Sequence, residues 1–430
     1  MSESDWSIDS DWSIDGDTVS PSDTEDECSA SSATPSLLQW SNDIQPAKIC
    51  PFKMKPGLKE SCGKTPVDFF KLLFNRSLSE FLVNNINNHA LKLLNQNVQN
   101  QQGRRFKQVT LNEFYVFLGL LLNVGTMNAD VIDATQPLVE DPEEYMSPVR
   151  FMFILKCLNF EHELPGKTDK MSKISHMIDY FNIMMKKVVH PTRVLCIEKS
   201  ITVLCYENVY ILTDEFGLAL KLAVYQSEQK PGPHVAKTLL EDKLDVGHSV
   251  YMSEDYNSLE LTRFLINRKT YVTGPIKRKR FGVLKEVKDK KLEKGEKIVK
   301  YNTDGICVAK WRERREVIMV SSEHNGEWKE YIDTYRQKNK RPSCVLEYNK
   351  YKDSPEKHEE MLGQYYCSIL CGEKTRANNR FKILGVHILE MLVLNAYILY
   401  NKYGGQAMSL IDFRTIVVKH LLSHGKRVRV

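Results

Sequence analysis

The sequence predicts a mixed α/β (α+β) protein in which an all-helical N-terminal domain precedes a strand-rich core. Three observations carry that prediction. Apolar residues recur at three- and four-residue intervals from Thr65 to Val189, and the pattern then switches at Val194 to β-branched and aliphatic runs. From Val194 the order reads three strands, helix, strand, helix, strand. A hydrophobic content of 42%, with 10% aromatic residues, suffices for buried cores in a chain of 430 residues.

Residues 1–47 form an acidic, Ser-rich tail that opens with the tandem repeat SDWSID at 4–9 and 10–15. Eleven acidic residues and no Lys or Arg fall in this stretch, so the net charge of +5 leaves the rest of the chain at about +16. Such a tail cannot bury enough apolar surface to offset ordering its backbone and is expected to be disordered. A protein partner for it, docking on Trp6 and Trp12, is one expectation; a polyanionic partner for the basic body is another. Residues 48–191 follow as the helical domain, of a dimerisation or DNA-binding type. VDFFKLLF, LSEFLVNNINNHAL and LNEFYVFLGLLLNVG are its first helices, with Thr65-Pro66 and Thr110 as entries. PVRFMFILKCLNF and ISHMIDYFNIMMKKVV continue it, and Pro191 closes it.

Residues 192–276 carry strands at 194–205, 208–215 and 218–226, a helix at 234–244, a strand at 248–252, a helix entered through Ser258 and a strand at 270–274. That is the ribonuclease-H-like order, in which the first and fourth strands lie side by side. Side chains at their ends therefore meet: the carboxylate of Glu198 on the first, and Ser253 followed by the carboxylates of Glu254 and Asp255 after the fourth. Residues 277–345 read as a basic β-rich insertion opened by Lys277, Arg278, Lys279 and Arg280, a nuclear-localisation or DNA-facing tract. Residues 346–405 return to the core, first as a strand or loop through LEYNKYKDSPEKHEEM and then as helices. The apolar run 383–400 contains His387, Glu390 and Asn395, which favours a buried helix over a membrane span. Residues 406–430 are a C-terminal helix and a basic end.

Ten scattered cysteines point to a reduced, intracellular setting. Cys367 and Cys371 have tolerable metal spacing, but no second pair follows and no zinc is expected there.

Taken together, TPVDFFKLLF, LNEFYVFLGLLLNVG, RFMFILKCLNFEHE, LCIEKSI, YMSEDYNSLEL, LEYNKYKDSPEKHEEM and FKILGVHILEMLVLNAYILYNKY resemble, in order and spacing, the segments of the piggyBac family of DNA transposases. The resemblance runs from about Thr65 to Leu422. It implies metal-dependent strand transfer, with aspartates holding two divalent cations, usually Mg²⁺. Carried over position by position, the four aspartates fall on Glu198, Ser253, Glu356 and Glu359, and none is retained. The family's basic Gly-Arg and Lys-Pro segment between the first two strands is also missing, as is the cysteine-rich module that often follows the core.

Glutamate still binds metal, so Glu356 alone would be innocuous, whereas Glu198 displaces the ligand oxygens and Ser253 supplies no charge at all. Glu198, Asp255 and Glu356 stay as weak metal candidates, and His358 lies beside Glu356 and Glu359. The expectation is a transposase-derived, nuclear protein that is catalytically inactive and acts as a DNA-binding or chromatin-associated module. A protein-interaction scaffold is the alternative, and an active nuclease or transposase with a rebuilt carboxylate site the second. No cofactor is expected, with Mg²⁺ tied to residual activity. DNA, a protein partner for the tail and a homodimer are the partners entertained; a membrane is not.

Overall fold

The structure, a computed structural model, describes residues 39–45, 47–96, 107–127, 139, 141–161, 171–200, 207–226, 231–280, 284–333, 335–363 and 376–425. Two short strands come first, β1 (Trp40–Ser41) and β2 (Gly57–Leu58). Five helices follow: α1 (Pro66–Leu73), α2 (Arg76–Gln96), α3 (Leu111–Met127), α4 (Pro148–Cys157) and α5 (Ser172–Val188). The entry expected at Thr65 is a capping box. Its hydroxyl accepts from the Asp68 N–H at 3.2 Å, and Asp68 accepts from the Thr65 N–H at 3.0 Å. Thr110 opens α3 in the same manner, accepting from the Glu113 N–H at 3.2 Å.

After β3 (Val189–His190), which pairs with β2, the core strands begin. They are β4 (Val194–Lys199), β5 (Glu207–Asp214), β6 (Ala219–Gln226), β7 (Ser249–Met252) and β8 (Tyr271–Pro275), with α6 (Pro233–Leu240) and α7 (Leu259–Asn267) on either side of β7 in the chain. β4 runs parallel to β7 and β7 parallel to β8, while β5 and β6 add antiparallel on the other side of β4. The first and fourth strands of the core are thus neighbours, as their order predicts.

The segment 277–345 contributes α8 (Lys285–Asp289), β9 (Lys297–Asn302), β10 (Cys307–Arg312), β11 (Glu316–Ser321) and a hairpin of β12 (Trp328–Ile332) and β13 (Lys338–Pro342). Rather than folding apart, it prolongs the core sheet. β11 pairs antiparallel with β8 and is followed by β10 and β9, giving the order β1-β9-β10-β11-β8-β7-β4-β5-β6. The last edge is covered by the tail itself: Trp40 sits opposite Asn302, Ser41 opposite Tyr301, and Trp40 packs against a cluster containing Leu259, Ile276 and Ile306. The expected disorder therefore does not extend through residue 47; it is interrupted by a strand that shields a sheet edge. Residues 1–38, with Trp6 and Trp12, lie outside the described residues, as do Cys367 and Cys371.

A second correction falls on the return to the core. The strand or loop expected around Val345 is a helix, α9 (Ser343–Tyr351), followed by α10 (Ser354–Gly363). Cys344, Val345 and Tyr348 bury one face of α9, a helical spacing masked in the sequence by the polar residues between them. Two further helices complete the chain, α11 (Arg376–Tyr403) and α12 (Leu410–Ser423).

The N-terminal helices and the core strands share one apolar core that includes Phe69, Leu121, Phe181, Leu212, Leu389 and Phe413. α11 packs on α1 and α5, and α12 packs on α3. By length and composition α11 could cross a membrane, but 94% of its apolar window is buried inside the protein. Two of its buried polar residues are paired: Asn395 donates to the Ala219 carbonyl at 2.8 Å and accepts from the Ala219 N–H at 3.1 Å. Glu390 is bound by Arg414 at 2.6 Å.

Candidate active site at the ends of the core strands

β4 and β7 run in register with Ile197 opposite Met252, so Glu198, still within β4 and opposite Ile211 of β5, stands beside Ser253, the first residue beyond β7. The chain turns sharply there. The Tyr256 N–H bonds to the Ser253 carbonyl at 3.3 Å, and the Ser258 hydroxyl caps α7 by accepting from the Leu261 N–H at 3.0 Å. Asn257 fixes the turn to β8 by donating to the carbonyls of Gly274 at 3.2 Å and Pro275 at 3.1 Å. Gly274 is required by this close approach, since a Cβ there would stand 2.1 Å from the Met252 carbonyl oxygen.

One oxygen of Glu198 accepts from the Lys199 N–H at 2.9 Å and from the Tyr256 hydroxyl at 3.3 Å. Burial pushes the Glu198 carboxyl up to about 7, against the pull of these two hydrogen bonds and with added repulsion from Asp255 and Glu356. Tyr256 is itself buried, and its ring meets that of Tyr210 edge-on at 5.7 Å. Tyr348 of α9 is buried within electrostatic range of Glu198 and Glu356. The cleft end of the sheet is thus packed with tyrosines. The Ser253 hydroxyl is buried without a hydrogen-bond partner among the described residues.

The sequence-predicted candidates divide into two groups. Glu356, in the first turn of α10, is exposed and close enough to Glu198 to repel it; burial and Asp353 raise its own carboxyl. Asp255 also faces Glu198, but it is ion-paired with Lys277 at 2.5 Å, and its carbonyl accepts from Arg280 at 2.7 Å. Glu359 departs from the group. It is buried beside His358 and His387, and His358 makes a 2.8 Å hydrogen bond with the Gly217 carbonyl. Among the described residues no set of three or more His, Cys, Asp or Glu side chains is placed to hold a metal ion. The basic tract is split as well: Lys277 and Arg280 turn to Asp255, whereas Arg278 faces Asp289 at 3.8 Å.

Sequence reasoning missed the tyrosine packing around Glu198 and the Lys277–Asp255 pair. A signal existed for the first, because YMSEDYNS puts Tyr256 three residues beyond the expected ligand position. Nothing in the sequence pairs residues 255 and 277, which only the β7-to-β8 connection brings together.

Two divalent cations would need ionised, short-armed carboxylates converging on one point. The residues present suit them poorly: Ser253 offers a hydroxyl in place of a carboxylate, Glu198 is buried and bonded to the Tyr256 hydroxyl, and Asp255 is ion-paired with Lys277, which leaves Glu356 as the exposed carboxylate nearby. A family model described as transposase IS4 matches residues 65–397. The chain belongs to that family, and its type is piggyBac. The piggyBac fold is retained throughout. A chain in the cryo-EM structure of a piggyBac transposase synaptic complex with hairpin DNA superposes with a TM-score of 0.71 at 17% identity, over 88% of this chain and 85% of that one.

Proposed function

We propose that this piggyBac-type protein no longer performs strand transfer and acts as a DNA-binding or chromatin-associated module in the nucleus. The observation that carries the first half is the pairing at the strand ends, where Glu198 is tied to the Tyr256 hydroxyl and the position beside it is the uncharged Ser253. The second half is supported by the excess of basic residues beyond the acidic tail and by the fold shared with a transposase solved with hairpin DNA. Phosphate contacts from such a basic body release counterions, so binding has a steep salt dependence.

Electrophoretic mobility shifts of a labelled duplex test it. Binding is expected at low salt, is expected to weaken by tenfold or more between about 50 and 200 mM salt, and is expected to be indifferent to Mg²⁺. No shift even at low salt would reject the DNA-binding half. Nuclear residence through Lys277–Arg280 belongs to the same reading: changing all four to alanine is expected to move a tagged protein to the cytoplasm, and an unchanged nuclear signal would remove that role. A protein-interaction scaffold is the second reading. It is favoured by the β12–β13 hairpin, on which Ile332 is 68% and Tyr335 78% exposed.

A further inference from the structure

The basic tract and the insertion line a half-open cavity of about 440 Å³, within the roughly 300–1,000 Å³ of pockets that take small ligands. Its lining is strongly unbalanced. Six cationic residues, Arg278, Lys291, Lys310, Arg312, Arg314 and Arg315, face two carboxylates, Asp289 and Glu316. The cations come from four separate segments, the turn after β8, the loop after α8, strand β10 and the β10–β11 turn, and the carboxylates from the end of α8 and the start of β11.

The cavity is built into the fold. Lys310 is only 2% exposed and holds three groups together, bonding the carbonyls of Lys288 at 3.2 Å and Lys290 at 2.5 Å and the Glu316 carboxylate at 2.9 Å. Arg312 reaches across to the Leu292 carbonyl at 2.7 Å. The backbone after α8 is thereby fixed against β10, and the cavity wall stands before any ligand arrives. Arg278 meets Asp289 at 3.8 Å, a long contact that a stronger anion can displace. Arg314 and Arg315 are exposed at the rim.

We propose that this cavity is a binding site for a compact polyanion carrying closely spaced phosphate groups. Guanidinium forks match phosphate oxygens in bidentate geometry, and a compact polyphosphate brings several such oxygens within reach of one cluster of arginines. A half-open pocket with a fixed back wall at Lys310 and arginines at its rim suits a short polyphosphate more than a flat patch would. The same chemistry has two sources, a free polyphosphate or phosphates of a nucleic-acid backbone. The site stands apart from the Glu198 cleft and does not depend on whether that cleft is active.

Titration calorimetry of the full chain with inorganic tripolyphosphate tests the proposal. Saturable binding near one site per chain is expected, weakened by salt. Arg314→Ser combined with Arg315→Ser is expected to lower the affinity at least tenfold while leaving the thermal transition in place. Lys338→Ser combined with Lys340→Ser, on the separate β12–β13 hairpin, is expected to change it less than twofold. No saturable binding, or equal losses in both double variants, would overturn the site. Adding a DNA duplex to the tripolyphosphate complex then identifies the source. Displacement assigns the cavity to backbone phosphates, and simultaneous binding assigns it to a free polyphosphate; a duplex that binds while tripolyphosphate alone never does would overturn the compact-ligand proposal without touching the DNA-binding reading.

Discussion

Beneath helix α11 and at the ends of β4 and β7, polar groups are buried in two different ways. Under α11, the carboxylate and the amide are paired, while the His387 Nε2 is buried without a hydrogen-bond partner among the described residues. Glu390 receives the Arg414 guanidinium at 2.6 Å, Arg414 also reaches the Leu122 carbonyl at 3.0 Å, and Asn395 satisfies both backbone groups of Ala219. At the strand ends, Ser253 has no partner among the described residues, and Glu198 shares one oxygen between a backbone N–H and a tyrosine. Buried polar groups persist when they are paired, because an orphan costs its full desolvation. The first region pairs its carboxylate and its amide with fixed partners, whereas the second pairs Glu198 through one oxygen and leaves the Ser253 hydroxyl without a partner among the described residues. The difference supports the proposed reading that the fold has been kept while the chemistry has not.

The comparison can be broken at its strongest point first. Arg414→Ala leaves the Glu390 charge buried and unpaired, which is expected to destabilise the protein by about 3–5 kcal/mol. Chemical denaturation measures this, and a loss below about 1 kcal/mol would show that the α11 pairing is not structural. Asn395→Leu removes two backbone hydrogen bonds at once and is expected to cost about 1–3 kcal/mol on the same scale.

Smaller effects are expected in the cleft. The Glu198 carboxyl titrates near 7 in the folded protein and near the ordinary 4.5 when unfolded. Between these values the folded state holds a proton that the unfolded state has released, so its contribution is full below about 4.5 and is lost as pH rises through 7. Glu198→Gln removes that loss and is expected to make the variant more stable than the natural protein at pH 8, by on the order of 1 kcal/mol. Destabilisation by Glu198→Gln at pH 8 would mean that the ionised carboxylate has a favourable partner there. The smallest effect belongs to the exposed pair: Asp255→Asn is expected to change stability by about 0–1 kcal/mol and to reduce it mainly at low salt.

Much of the fold was legible from the residues. The capping signals at Thr65, Thr110 and Ser258 each sit where a helix begins, because a side-chain acceptor beside an apolar period is a local device. The adjacency of β4 and β7 followed from element order alone. What could not be read was set by distant contacts. Trp40 reads as part of an acidic tail until Asn302 and Tyr301 offer an unpaired edge. α9 reads as a loop because its buried face holds only Cys344, Val345 and Tyr348. Within the site, Glu198 and Ser253 are neighbours through β4 and β7 and Glu356 lies within electrostatic range of Glu198, whereas Glu359, three residues further along α10, is buried beside His358 and His387.

The most direct measurement is cleavage of a labelled DNA duplex in Mg²⁺ or Mn²⁺, comparing the natural protein with Glu198→Ala and Glu356→Ala. The account predicts no metal-dependent product from any of the three. Cleavage by the natural protein that either substitution abolishes would contradict it and would assign those carboxylates to a working site.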